Sequence, residues 1–306
     1  METKDFLFFN YSWVVNSTFY FESFAKKGHS IDIVTEKDLH SFVPQNKYKN
    51  VVLYLHEPWS LPITDHLINT YFNDAVLIQH DDTDFEDVQY WSTRVPDLVM
   101  QREYTDNTKN PRGSAMGAFH FPIHSWYNPS ITEKPYDLCF LANMTHPRRV
   151  MFARKMMELM NGRLNHLVWK VNIEPHVNTS SQFYNKNAFS EQKEDTKIIV
   201  NKTKIGLNDF GNSYEQWRTW EYASAGTAIL MPKMKTKCVS EGFMPFNEYT
   251  VFRDDYSDLE EKILFLLENN RYMEYGTMAK EAYDKRHNPE KCFEFYYEQI
   301  MRYAKQ

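Results

Sequence analysis

Apolar runs of five to eight residues, separated by stretches of helical character, recur from one end of this chain to the other, and no other feature narrows its fold as much. In the first half they are FLFFNYS (6–12), IDIVT (31–35), VVLYLH (51–56) and AVLIQH (75–80). Few polar residues alternate within them, so they read as strands buried on both faces. Residues 20–27 between the first two predict a helix closed by Gly28, and 61–72 predict another, with Pro62 limiting where it begins. Strands that alternate with helices call for crossover connections, which means an α/β class with parallel sheet covered on both sides.

The second half repeats the alternation. YDLCFLAN (136–143), HLVWKVN (166–172), one or two strands within KIIVNKTKIGLNDF (197–210), TAILMP (227–232) and EYTVFR (248–253) are the strand candidates. Helices are expected over 150–160, 214–226 with Gly226 as its stop, 259–267 with Ser257 as its cap, and 289–304, which is rich in Phe and Tyr. A length of 306 residues fits two domains, and the segment GAFHFPIHSWYNPSITEKP (117–135), with three prolines, supplies the connection. The expected division is 1–130, 131–288 and a final helix at 289–306.

With 35 Lys and Arg against 41 Asp and Glu the formal charge is −6, so no broad positive field exists for a nucleic-acid backbone. No apolar run approaches the roughly 18 residues of a membrane span, and METKDFLFFNYSWVVNS lacks the basic start of a leader. Cys139, Cys238 and Cys292 are too few and too scattered for a disulfide framework or a clustered metal site. A reducing, cytoplasmic location is the expectation.

In open parallel sheets, ligands gather at the loops after the carboxyl ends of the strands. Two such loops stand out in the first half: His56-Glu57-Pro58-Trp59, and the run VLIQHDDTDFED (76–87), with five carboxylates in twelve residues. Asp81, Asp82 and Asp84 can each serve as a general base there, and His56 is a neighbouring alternative. The triplet Asp82-Thr83-Asp84 also has the form that holds Mg or Mn against a diphosphate, but the nucleotide-binding features lie more than 120 residues downstream, which argues against a metal site; the plain alternative is a solvated loop of helix-capping acids. In the second half, NDFGNSYEQWRTWEYASAG (208–226) carries a glycine loop into a helix on which Arg218 and Glu221 are three apart. Phosphate oxygens suit the free N–H groups at such a helix start, and a carboxylate can accept both hydroxyls of a ribose. The alternative is a helix-surface ion pair worth about 0.2–0.5 kcal/mol.

The order Arg218, Glu221, Gly226 and then the apolar strand AIL (228–230) resembles the donor-binding helix of group 1 nucleotide-sugar glycosyltransferases. It is most similar to their spore-coat-associated branch, and exostosin-type transferases offer a second resemblance. YDLCFLANMTHPRR (136–149) resembles the first strand and phosphate-side turn of the same domain. The resemblance implies a GT-B architecture, two Rossmann-like domains facing across a cleft, with the acceptor on the first, the nucleotide sugar on the second and the last helix returning to the first. It implies that Glu221 holds the ribose, and that Arg218 with one of Arg148, Arg149 or Lys204 neutralises the diphosphate. Asn208 and Gly211 would shape the phosphate loop, and Tyr214 or Trp217 would flank the base or sugar. The activity implied is transfer of a sugar from a UDP- or GDP-sugar to a hydroxyl of a glycan or other acceptor, without a required cofactor. Ser213 stands where many members carry a further glutamate, which favours an inverting course. A metal-dependent GT-A-like enzyme using Asp82 and Asp84, an epimerase or hydrolase of the same fold, and a non-catalytic nucleotide-sugar-binding protein are the alternatives.

Overall fold

The computed structural model describes residues 1–10, 17–55, 61–81, 87–102, 104–120, 122–143, 146–174, 195–211, 216–236 and 249–306. The chain divides into two compact units, one of residues 1–122, 236 and 289–306 and one built mainly from 123–235 and 249–288.

The first unit runs β1 (Thr3–Asn10), α1 (Ser17–Lys26), β2 (Ile31–Thr35), α2 (Glu36–Leu39), β3 (Lys47–Leu55), α3 (Leu61–Tyr71), β4 (Val76–Asp81), β5 (Leu98–Gln101) and β6 (Ala115–Ala118). Among the described residues six strands pair in the order β2-β1-β3-β4-β5-β6, all parallel. Successive residues of a strand face opposite sides, so the continuous apolar runs feed two cores. Leu7, Phe9, Val51, Leu53 and Leu77 pack with Leu67, Ile68 and Phe72 on one face. Phe6, Phe8, Val52, Tyr54 and Ile78 pack on the other with Tyr20, Phe21 and Phe24 of α1.

The second unit runs β7 (Tyr136–Asn143), α4 (Pro147–Asn161), β8 (Trp169–Glu174), α5 (Thr196–Asn201), β9 (Thr203–Leu207), α6 (Trp217–Ala225), β10 (Ala228–Met231), β11 (Thr250–Val251), α7 (Leu259–Leu267) and α8 (Arg271–Ala282). Strand order is β11-β10-β9-β7-β8, again all parallel. Leu138, Phe140, Ile205, Leu207 and Leu230 of the strands close against Phe152 and Met156 of α4 and Leu259, Ile263 and Leu266 of α7. The final helix, α9 (Pro289–Met301), belongs to the first unit, where Phe293, Tyr296 and Ile300 complete the α1 face. Gln299 seals the edge strand β6: its Nε2 donates to Ala118 O at 2.7 Å and its Oε1 accepts from Ala118 N at 2.9 Å.

Of the one or two strands expected within 197–210 the structure has one, β9, and KIIVN ahead of it forms α5, where Asp195 accepts from Lys197 N at 2.7 Å and starts a helical turn that overrides the β-branched run. Two further points differ from the sequence expectation. The cap of α7 is Asp258, not Ser257; the Asp258 side chain instead accepts from Arg253 N at 2.8 Å and holds the preceding turn. The short strands β5 and β6 have no counterpart in the sequence expectation, since LVMQ and AMGA offer too few residues for a pattern.

Gly226 ends α6 with φ +69°, a left-handed conformation that glycine adopts without penalty. Gly276 of α8 lies against it: a Cβ on Gly276 would stand 2.5 Å from the Gly226 carbonyl oxygen. Helix propensity favours Ala over Gly by about 1 kcal/mol, but the clash is with backbone that cannot swing aside. Overpacking of that kind costs about 1–3 kcal/mol, so Gly276→Ala is expected to lower the chemical-denaturation midpoint. An unchanged or raised midpoint would show that α8 can slide to make room.

Candidate functional site

Because every strand of the second unit is parallel, the turns after β7, β9 and β11 come out at one edge of the sheet. The β7 turn enters α4 through His146, whose side chain accepts from Arg148 N at 3.1 Å, with Pro147 in the first helical position. The consecutive residues Arg148 and Arg149 then point to different partners, as neighbours on a helix must.

Arg148 donates from Nε to Asp209 Oδ1 at 2.7 Å and from Nη2 to Asp254 Oδ1 at 2.8 Å, and its guanidinium lies 5.3 Å from the Phe210 ring. Asp209 is fully buried and also accepts from the Tyr256 hydroxyl at 2.7 Å and from Phe210 N at 2.8 Å. Burial, reinforced by that carboxylate, raises the Tyr256 hydroxyl well above the usual phenol value. Arg149, only 8% exposed, donates from Nη2 to Gln216 Oε1 at the start of α6. Gly211 passes directly over this guanidinium: a Cβ there would stand 2.7 Å from Arg149 Nη2.

Asn208 links the β9 turn to α6. Its Nδ2 donates to Thr219 Oγ1 at 2.7 Å while its Oδ1 accepts from Asp209 N at 3.0 Å. Arg218, in the first turn of α6, donates from Nε to Leu141 O at 3.2 Å and lies 5.6 Å from the Trp126 ring. Trp126 is itself tied to this unit, donating from its backbone N to Ser224 Oγ at 3.0 Å and accepting from Asn201 Nδ2 at 2.7 Å. Arg218 Nη1 and Glu221 Oε2 are 2.7 Å apart. The two atoms attract as an ion pair but are misaligned for a directed hydrogen bond, and neither makes one with any described residue. Glu221 is 9% exposed, so burial raises its carboxyl, and Arg218 only partly pulls it back.

Thus Arg148 and Arg149 in the first turn of α4, Asn208 and Gly211 after β9, and Arg218 and Glu221 on α6 all lie at the sheet's carboxyl edge or on a helix that starts there. Lys204 does not. It is the second residue of β9, about 13 Å of extended chain before Asn208, and its Nζ pairs with Asp137 Oδ1 at 2.6 Å. Tyr214 lies outside the described residues; Trp217, the first residue of α6, is exposed. The partners Asp209, Tyr256, Gln216 and Trp126 were missing from the sequence expectation. Asp209 had a signal, an acid two residues past a strand end.

In the first unit, Asp81 closes β4 fully buried, accepting from Gln89 N at 3.1 Å on Oδ2. His80 points to the opposite face, its ring 3.8 Å from that of Tyr54 and 3.7 Å from that of Phe119. Burial, aided by the charge of Arg102, keeps it well below the ordinary histidine value and so neutral. Asp82, Asp84, His56 and Glu57 lie outside the described residues. Among the described residues no group of three or more His, Cys, Asp or Glu side chains is arranged to hold a metal ion, and no helix is long and apolar enough to cross a membrane.

Residues 162–298, a little under half of the chain, match a family model described as glycosyl transferase-like. No curated protein matches by sequence. Among solved structures, TarM superposes with a TM-score of 0.57 at 13% identity over 81% of this chain and 54% of its own. The GtfA/B complex gives 0.53 at 10% identity over 82% and 57%, so this chain spans just over half the length of these two matches. Anabaena HepE, solved with UDP-glucose, gives 0.55 at 9% identity over 98% of this chain and 100% of its own. At such identities the likeness is one of fold: the chain has the α/β GT-B fold, with two Rossmann-like units of parallel sheet and flanking helices.

Proposed function

We propose that this protein is a glycosyltransferase that moves a sugar from a nucleoside diphosphate sugar to a hydroxyl of a glycan or other acceptor. One observation carries the proposal: buried Arg149 meets the start of α6, and Glu221 stands one turn further along the same helix with a buried oxygen that is paired in charge with Arg218 but hydrogen-bonded to no described residue. A diphosphate suits the cation and the free N–H groups of the helix start, and a ribose supplies two hydroxyl donors for the carboxylate. The resemblance of Arg218, Glu221 and Gly226 to the group 1 donor helix supports this, as does the match of residues 162–298 to a glycosyl transferase-like family. HepE, of the same fold and length, was solved with UDP-glucose, which favours a uridine donor over a guanosine one.

The cation that neutralises the diphosphate is Arg149, with Arg148 beside it, rather than Lys204, which is engaged at the other end of β9. Developing charge on the leaving group gains most from fixed, desolvated cations, so no metal is needed in this scheme. The acceptor hydroxyl loses its proton to a residue of the first unit. Asp81 is buried and already accepts a backbone N–H, so Asp82 or Asp84 is the preferred base in an inverting transfer, with His56 as the alternative. The buried free thiols of Cys139 and Cys292 are compatible with work in the cytoplasm.

Calorimetric titration with UDP- and GDP-sugars, each with and without EDTA, tests the scheme. A UDP-sugar is expected to bind with unchanged affinity in EDTA, and transfer to follow with a suitable acceptor. Absence of binding by every nucleotide sugar sinks the proposal, and binding lost in EDTA moves the chemistry to a metal-dependent class.

A further inference from the structure

Three turns from the carboxyl edge of the second sheet meet at one buried carboxylate. Asp209, after β9, receives Arg148 Nε from the start of α4 at 2.7 Å and the Tyr256 hydroxyl from the β11–α7 turn at 2.7 Å. Its own turn contributes Phe210 N at 2.8 Å. Asp209 is fully buried, whereas the second carboxylate on Arg148, that of Asp254, is 60% exposed. Tyr256 reaches Asp209 from a backbone with φ +60°, a conformation that non-glycine residues adopt only against a local cost. The guanidinium is therefore held on its Nε side by a partner inside the protein. On its Nη2 side it is met by a solvated carboxylate, which is chemically a stand-in for a phosphate oxygen.

We propose that Asp209 is a positioning residue for the donor diphosphate: it fixes Arg148 so that the Nη2 edge, now on Asp254, faces the phosphates. The inference rests on the donor site described above. A guanidinium left to rotate about its long stem loses the fixed fork that makes arginine a good phosphate ligand. An aspartate on Nε restores it, and Tyr256 prevents the aspartate from turning. Asp254 is then a displaceable occupant, not a support.

The test compares binding of a nucleoside diphosphate, UDP, with that of its nucleoside, uridine, in the full-length protein. Asp209→Asn is expected to weaken UDP about tenfold or more while uridine stays within about twofold of wild type. Tyr256→Phe, which keeps the ring and the fold, is expected to give a smaller loss of the same selectivity. Asp254→Ala is expected to leave UDP affinity unchanged or raise it. Equal losses of UDP and uridine in the Asp209 and Tyr256 variants would make the network a plain structural support and overturn the proposal. Unchanged UDP binding in both, or a loss in Asp254→Ala as large as in Asp209→Asn, would overturn it as well. If wild type binds neither UDP nor any other nucleotide, it is the donor-site assignment that fails.

Discussion

Glu221→Ala is expected to weaken nucleotide-sugar binding about 100-fold, and Glu221→Gln about tenfold. A hydrogen bond to a charged partner contributes about 1.5–3 kcal/mol, and in the proposed site the carboxylate would accept two from one ribose. Ala forfeits both; Gln keeps one acceptor and presents the second hydroxyl with an NH₂ group. The size of the effect owes much to burial. Glu221 is 9% exposed, and its Oε2, 2.7 Å from Arg218 Nη1, is hydrogen-bonded to no described residue, so a ribose hydroxyl can be accepted there without breaking a directed hydrogen bond to a described residue. Titration of the variants with the donor, checked against their unfolding curves, measures it. Affinity within twofold of wild type in Glu221→Ala would return the pair Arg218–Glu221 to an ordinary helix ion pair.

The pH dependence follows from the same burial. The Glu221 carboxyl is raised above its ordinary 4.5, by burial first, with Arg218 opposing. Ribose hydroxyls donate to a carboxylate, so protonation removes affinity, and the loss sets in at a pH above 4.5 as the solution is acidified. Stability moves the other way. A group that binds its proton more tightly when folded contributes most below its unfolded pKa, and that contribution is lost as pH rises through the folded value. Acidification through this window should therefore weaken the donor while Glu221 itself favours folding. Glu221→Gln should flatten the affinity profile.

How far the sequence reached can be judged residue by residue. Long apolar runs buried on both faces, such as FLFFN and VVLYL, declared parallel strands because no polar alternation competed with them. Gly226 declared the end of α6 because only a left-handed residue closes that turn. Runs of four residues such as β5 and β6 carried no period, and the β-branched KIIVN left open whether 197–210 held one strand or two, because a single cap at Asp195 outweighs propensity there. At the site, Arg218 and Glu221 were legible as a helical pair. Which of Arg148, Arg149 and Lys204 stand at the carboxyl edge of the sheet was not, since that depends on where β9 begins and which way each side chain leaves α4. Asp209 stayed hidden for a related reason: its three partners come from positions 148, 210 and 256, which no local pattern connects.

Arg149→Ala is expected to be the other large loss, about 100-fold in affinity for the nucleoside diphosphate with the nucleoside little changed. The residue is only 8% exposed, with its guanidinium at the α6 start, and a charge held in so little water acts on a phosphate far more strongly than a surface cation does. Arg149→Lys should recover only a minor part, because a lysine ammonium cannot serve Gln216 and a phosphate from one planar fork. Gly211→Ala tests the geometry without touching the charge. Its Cβ would stand 2.7 Å from Arg149 Nη2, and since the obstacle is the tip of a side chain, the guanidinium rather than the backbone should give way. The fold survives and the diphosphate affinity falls. The double variant Arg149→Ala with Gly211→Ala should then be no weaker than Arg149→Ala alone, because once the guanidinium is gone the added methyl has nothing to displace. Additive losses in that cycle would mean that Gly211 acts on the phosphates through its own backbone and not through Arg149.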